Sequence, residues 1–258
     1  MAGLSEQKEA EFRFYEELND FLPKVRKKKT FTYSFRGKPA IKDAIEALGV
    51  PHTEVDLILV NGKSVRFNYH LHPADHVSVY PVFESLDITP LTKLRRAPLR
   101  RRRQQLRLKF ILDVHLGKLA HLLRMLGFDA LYHKDYNDDE IRDISLKERR
   151  TILTRDQDLL KAKIVTHGYW LRATTPLEQV IEIVRRFDLK SCIKPFVRCL
   201  ACNGLIKKIN KTKIVPRLPA GVLSYYQEFF QCSNCKKIYW QGSHFRKMQE
   251  KISLIIRD

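Results

Sequence analysis

The chain has 258 residues, 44% of them hydrophobic and 10% aromatic, which excludes a disordered chain and leaves room for two or three domains. No run approaches eighteen uninterrupted apolar residues and the opening MAGLSEQKEAEF is charged, so neither a membrane span nor a secretory leader is expected, and the expected location is cytoplasmic. Lysine and arginine number 48 against 29 acids, a net charge of +19; this favours a polyanionic partner, of which nucleic acid is the commonest inside a cell, and no basic amphipathic helix with large apolar anchors points to a membrane surface instead.

Residues 1–88 read as a unit of their own. FRFYEELNDFL and KTFTYSFRG alternate apolar and polar residues, as two strands would. Pro39 opens a helix over AIKDAIEALGV, with Ile41, Ala44, Ile45 and Leu48 on one face and Gly49 past its end. VDLILVNGKSVRF reads as a hairpin turning at Asn61-Gly62, and HVSVYPVF supplies a last strand. The order strand, strand, helix, strand, strand resembles the β-grasp (ubiquitin-like) fold. The ending PADHVSVYPVF is similar to the sulfur-carrier branch of that superfamily. Those carriers end in Gly-Gly, whereas this segment runs on into Glu84-Ser-Leu-Asp87, so a docking or RNA-contacting module is expected instead.

Residues 89–107 form a basic linker. From Leu91 to Leu108 there is no acid, and Arg100, Arg101, Arg102 and Arg103 stand in a row. Like-charge blocks are commonly solvated and extended. Arginine forks also fit phosphate oxygens, so the linker is expected to order on RNA.

Residues 108–190 alternate strand and helix, which argues an α/β domain with a mainly parallel sheet. Phe110-Ile-Leu is a short apolar strand that ends abruptly on Asp113. Leu116, Leu119, Leu123 and Leu126 then recur at helical spacing until Gly127. Asn137-Asp-Asp-Glu140 opens another helix, with Asp138 where an N-cap would stand. Thr151-Ile-Leu-Thr154 is a second apolar strand, and it runs into Asp156 and Asp158. Thr175, Pro176 and Glu178 make a capped start for a packing helix with Leu177, Val180, Ile181 and Val184 on one face. In an open parallel sheet, ligands lie beyond the carboxyl ends of the strands, so these acids could share one crevice. Carboxylates gathered there repel unless a divalent cation lies among them. Asp129, Asp135 and Asp143 read as surface acids. Lys118, His121 and Arg124, three apart on the helix after Asp113, read as a solvated face or a phosphate contact.

Residues 191–258 change character to short strands, turns and paired cysteines. Cys199-Leu-Ala-Cys202 and Cys232-Ser-Asn-Cys235 are two knuckles separated by 29 residues, each able to present two thiolates to one tetrahedral ion, with Gly204 easing the first turn. The expectation is structural Zn2+ on Cys199, Cys202, Cys232 and Cys235, with no open position for catalysis. Cys192 lies outside both knuckles and reads as a packed apolar residue. His244, beside Arg246 and Lys247, reads as a nucleic-acid surface. The tail FRKMQEKISLIIRD fits a helix or a strand.

Phe110-Ile-Leu-Asp113, Leu116-Gly-Lys-Leu119, Leu126-Gly-Phe-Asp129, Leu153-Thr-Arg-Asp156, Arg198-Cys-Leu-Ala-Cys-Asn203 and Tyr239-Trp-Gln-Gly-Ser-His244 together resemble the Mut-seven C-terminal RNase family. That family carries a PIN-like ribonuclease domain with a zinc ribbon, and residues 1–88 are similar to the ubiquitin-like domain often fused ahead of it. The resemblance implies a cluster of acids that holds Mg2+ or Mn2+ and activates water against a phosphodiester. Matched residue by residue, it makes Asp113 and Asp156 the metal ligands, joined in the catalytic group by Asp138 and Asp158. His115 is a departure, since a small residue and often methionine is expected around Val114-His115.

The resulting expectation is a divalent-metal-dependent, endonucleolytic ribonuclease of class α/β: a β-grasp domain, a PIN-like parallel-sheet domain and a zinc ribbon. Arg100 to Arg103, Lys118, Arg124, Arg155 and His244 would contact RNA, structured species such as tRNA or rRNA included, and protein partners would bind the ubiquitin-like domain. The alternative is a non-catalytic RNA- or ribosome-binding protein on a nuclease-derived fold, against which Asp113 and Asp156 count. A pure protein–protein adaptor would leave the basic linker unexplained.

Overall fold

The computed structural model describes residues 7–81, 91–94, 108–162 and 164–257. The chain divides into two compact units, Met1–Pro98 with Asp156–Trp170 and Leu99–Arg155 with Leu171–Asp258. Arg100, Arg101, Arg102 and Arg103 lie outside the described residues.

In the first unit, alternation sets the first strand. Ala10, Phe12 and Phe14 of β1 (Lys8–Phe14) are buried, while Glu9, Glu11 and Arg13 face outward. β2 (Phe31–Phe35), α1 (Ile41–Ala47), β3 (Val55–Val60), β4 (Lys63–Ser64) and β5 (His76–Pro81) follow. The sheet order is β2-β1-β5-β3-β4, with β1 and β5 parallel and the remaining pairs antiparallel. This is the β-grasp arrangement, and Ile41, Ala44 and Ile45 of α1 share one core with Phe12, Phe14, Ile58 and Val79. Asn61 and Gly62 turn β3 into β4 as their sequence requires.

The sequence reading fails at EELNDFL, which is a 3-10 helix over Glu16–Phe21 rather than strand. Buried Asn19 explains it: its Nδ2 donates to Phe14 O at 3.0 Å and Glu16 O at 2.9 Å, while its Oδ1 accepts from Lys28 N at 2.6 Å, closing a turn a strand could not hold. Residues 156–170 pack within this unit. His52 Nε2 meets Val165 O at 2.7 Å, and Trp170 N donates to Glu54 Oε1 at 2.8 Å.

In the second unit, β6 (Lys109–Leu112) is flanked by parallel β7 (Asp129–Leu131) and β8 (Thr151–Thr154). Phe110, Ile111 and Leu112 are fully buried, as a strand covered on both faces must be. The crossover from β6 to β7 is α2 (Gly117–Met125), whose Leu119 and Leu123, with Leu116 before it and Leu126 after, form the buried stripe. Gly127 ends it at φ +96°, where a Cβ would stand 2.1 Å from Lys194 O, so only glycine fits. α3 (Asp138–Glu148) precedes β8, and α4 (Pro176–Arg186) starts at Thr175, whose Oγ1 accepts from Glu178 N. The buried face of α4 is Val180, Ile183 and Val184; Leu177 is exposed, because the helix is rotated from the face its sequence suggested.

The cysteine-rich end is a three-stranded antiparallel sheet of β9 (Ile206–Ile209), β10 (Phe229–Cys232) and β11 (Ile238–Tyr239), with helix α5 (Ala220–Tyr225) between the first two strands. The tail resolves as helix α6 (Ser243–Arg257), since Ile252 and Ile255 bury one face three residues apart. No helix among the described residues is long and apolar enough to cross a membrane.

Candidate active site and metal centre

Leu112 and Leu153 are register partners on β6 and β8, so Asp113 and Thr154 come next along one edge of the sheet. Asp113 is 7% exposed. The fully buried Thr154 donates its hydroxyl to Asp113 Oδ2 at 2.7 Å, and Asp113 N donates to Leu153 O. That hydroxyl fills one acceptor position of a carboxylate that offers about four.

The other candidate acids lie at helix starts. Asp156 is exposed and caps the short helix Gln157–Lys161, accepting from Asp158 N at 2.8 Å. Asp158 is exposed and paired with Lys161 Nζ at 2.8 Å, whose hydrogen bond and charge hold its carboxyl below the usual carboxylate range. Asp138 is exposed and lies 3.6 Å from Arg142. It does not cap α3. Asn137 does, accepting from Glu140 N while Glu140 Oε2 accepts from Asn137 N, so Asp138 is the first helical residue.

The cysteines come together tightly. Cys199 Sγ is 3.5 Å from Cys235 Sγ, and Cys202 Sγ is 3.4 Å from Cys232 Sγ. All four sulfurs lie within 4.8 Å of one another, and all four cysteines are free. Sulfurs around a tetrahedral Zn2+ with bonds of about 2.3 Å stand about 3.8 Å apart, so the set can hold such an ion. Burial pushes the Cys202 thiol up, but hydrogen bonds from Gly204 N–H and from the neighbouring thiols outweigh it and bring the pKa down to about 6. Desolvation and the same neighbours drive Cys235 the other way, up to about 12, against the Lys237 N–H. Four sulfurs this close oppose one another's ionisation, and a cation between them removes the conflict. Among the described residues this is the one group of three or more His, Cys, Asp and Glu side chains placed to hold an ion.

The first knuckle is tied to the sheet. Asn203 adopts φ 69° and receives Ala130 N on its Oδ1 at 3.1 Å, which covers the open edge of β7. Its Nδ2 donates to Asp129 Oδ1 at 2.7 Å, and Asp129 also pairs with Arg150 at 2.7 Å and Arg198 at 3.1 Å. Burial raises the Asp129 pKa, yet hydrogen bonds from Arg150 and Asn203 and the charges of Arg150 and Arg198 prevail and hold it below the usual range. The turn therefore uses Asn203 for its left-handed residue. Gly204 supplies space instead, since a Cβ there would lie 2.9 Å from Cys232 Sγ.

Residues 108–252 match the family model described as the Mut7-C RNAse domain. The chain belongs to the Mut7-C RNAse family. Residues 7–87 match the model described as Mut7-C ubiquitin, in agreement with the β-grasp sheet. Neither the curated proteins nor the solved structures include a match to the chain.

Within the Mut7-C domain the basic residues divide. Lys118, Arg155 and His244 are exposed. Arg124 is not, which corrects its assignment as an RNA contact. It is 4% exposed, its Nε donates to Ala130 O at 2.8 Å, and one Nη donates to Leu200 O at 3.1 Å and Ala201 O at 2.9 Å. Its guanidinium fastens α2 and β7 to the first knuckle. Asp129, read as a surface acid, is likewise a half-buried member of this strap. Sequence reasoning also missed Thr154 and Tyr239, whose hydroxyl lies 3.0 Å from Cys199 Sγ. Aligning the ends of the two apolar strands would have found Thr154; Tyr239 and Asn203 stand in the motifs that carry the family resemblance, but nothing local shows that one meets Cys199 and the other Ala130 and Asp129.

Proposed function

We propose that this Mut7-C protein is a divalent-metal-dependent ribonuclease that hydrolyses RNA phosphodiester bonds endonucleolytically. The observation that carries the reading is Asp113, a nearly buried carboxylate at a parallel-strand end in a domain of an RNase family, steadied by the buried Thr154 hydroxyl. A carboxylate so placed is costly to desolvate unless a further partner receives its charge. Asp113 and Asp156 are the proposed metal ligands, with Asp138 and Asp158 completing the catalytic group. Bound Mg2+ or Mn2+ would polarise the phosphoryl oxygen and lower the pKa of a water. Lys118, Arg155 and His244, with Arg100 to Arg103, hold the RNA backbone, and the cysteines hold a structural Zn2+. The substrate is RNA, structured species such as tRNA or rRNA included, the ubiquitin-like domain takes protein partners, and the protein works in the cytoplasm.

One observation favours the rival reading of a non-catalytic RNA- or ribosome-binding protein: the cysteines, and no set of acids, form the ion-holding group among the described residues. Incubation of purified protein with linear and circular RNA, with Mn2+, Mg2+ or neither added, separates the two. The nuclease reading expects metal-dependent opening of the circle and product ends without a 2′,3′-cyclic phosphate, because water attacks rather than the ribose hydroxyl. RNA that is bound but left intact under both metals supports the rival.

A further inference from the structure

The ribbon carries a surface that neither the acids nor the cysteines use. Across the sheet, Lys208, Phe230 and Tyr239 form one row of register partners, and Lys207, Gln231 and Ile238 form the next. Partners in a row share a face and successive rows alternate. Tyr239 directs its hydroxyl to Cys199 Sγ, so its row belongs to the cysteine side and the Lys207 row to the opposite side. Trp240 follows the strand directly, and extending its alternation by one residue would set Trp240 on that opposite side with Ile238. The Trp240 ring lies 6.4 Å from Tyr226, which lies 4.8 Å from Tyr225. Tyr225 is 78% exposed, an unusual position for an aromatic ring. Arg217 joins the same side: its guanidinium donates to Lys236 O at 2.8 Å, the carbonyl that also receives Gln231 Nε2.

Charge completes the picture. Residues 205–247 hold nine lysines and arginines and a single acid, Glu228, which pairs at 2.6 Å with Lys208 of the cysteine-side row. One exposed ring beside two partly buried ones, rimmed by cations, suits a polyanion whose bases are unstacked, because a ring can take a base face only where no neighbouring base already does. We propose that Tyr225, Tyr226 and Trp240, flanked by Lys207 and Arg217, form a stacking site for single-stranded RNA, separate from the acid-bearing strand ends. The proposal rests on the reading that RNA is the ligand and specifies which form of RNA this face takes.

The test measures binding of a labelled 12-nucleotide oligouridylate, single-stranded or annealed to oligoadenylate, to the full chain without added Mg2+ or Mn2+. It reads binding alone, so it stands whether or not the protein cleaves. Tyr225→Ala should weaken single-strand binding about 5- to 150-fold, the effect of one lost base–aromatic stack, and leave duplex binding nearly unchanged. Tyr225→Trp should restore it, and Lys207→Ala should lower the salt slope by about 0.7. Because Tyr225 is exposed, the thermal midpoint of Tyr225→Ala should match the parent's. Parent-like single-strand binding by Tyr225→Ala would overturn the proposal, as would equal losses on both forms of RNA or a lowered midpoint that Tyr225→Trp fails to restore.

Discussion

Replacing Arg124 by methionine tests the strap between the sheet and the first cysteine knuckle. Methionine keeps most of the apolar stem and removes the guanidinium. Three hydrogen bonds to the carbonyls of Ala130, Leu200 and Ala201 are lost at a site 4% exposed, where water cannot fully replace them. At about 1 to 1.5 kcal/mol for each, the loss is about 3 to 5 kcal/mol, a large share of a typical stability of about 5 to 15 kcal/mol. For a domain of this size each kcal/mol moves the midpoint by about 2 to 4 °C, so thermal unfolding of zinc-loaded protein should fall by about 6 to 20 °C. Arg124→Lys should recover little, because a single ammonium cannot span three carbonyls. RNA affinity, measured well below the midpoint, should be unchanged. A midpoint shift below about 2 °C together with weakened RNA binding would refute the strap and return Arg124 to the phosphate-contacting surface.

The purified protein should carry a single Zn2+ per chain, and Cys232→Ser should lose the metal and lower the midpoint; elemental analysis of the parent without zinc would refute this. Changing Arg100, Arg101, Arg102 and Arg103 together to alanine should weaken RNA binding and flatten its salt dependence, whereas an unchanged slope would make the run a spacer. Partial burial of His121, then the charges of Arg124, Lys237 and Lys251, hold its pKa below normal. The unfolded chain therefore binds the proton more readily, so acidification below about pH 6.5 should cost folded-state stability. RNA phosphate near that cluster would raise the pKa again, so affinity should climb as pH falls through the same range, more steeply in the parent than in His121→Gln; equal slopes would place RNA elsewhere.

Elements with strong local chemistry were legible in the sequence. The Asn61-Gly62 turn, the Thr175 cap, the leucine stripe of α2 and the two cysteine pairs each need only a few adjacent residues to specify them. What escaped reading depends on partners distant in sequence. Asp129 looks like a surface acid until Arg150, Arg198 and Asn203 converge on it, and Arg124 looks solvated until the carbonyls of residues 200 and 201 reach it. Thr154 is an unremarkable strand residue until parallel pairing sets it beside Asp113. Local competition explains the rest. A few residues of alternating pattern serve a strand or a 3-10 turn equally, and the Asn19 side chain decides for the turn; Asn137 takes the cap of α3 from its neighbour Asp138 because Glu140 completes its capping box.

Asp113→Asn tests, with the least disturbance of shape, the proposal that Asp113 holds a hydrolytic metal. Asparagine preserves size and can still accept from Thr154, while it removes the charge a divalent cation needs. Cleavage of a labelled RNA by parent and variant, measured with Mn2+ and with Mg2+ alongside RNA affinity and thermal midpoint, supplies the comparison. Cleavage by the variant should be abolished, RNA binding should largely survive, and the midpoint in the absence of added Mg2+ or Mn2+ should equal or exceed that of the parent. Equal cleavage by the two proteins, with contaminating nuclease excluded, would rule out Asp113 as a ligand of the hydrolytic metal.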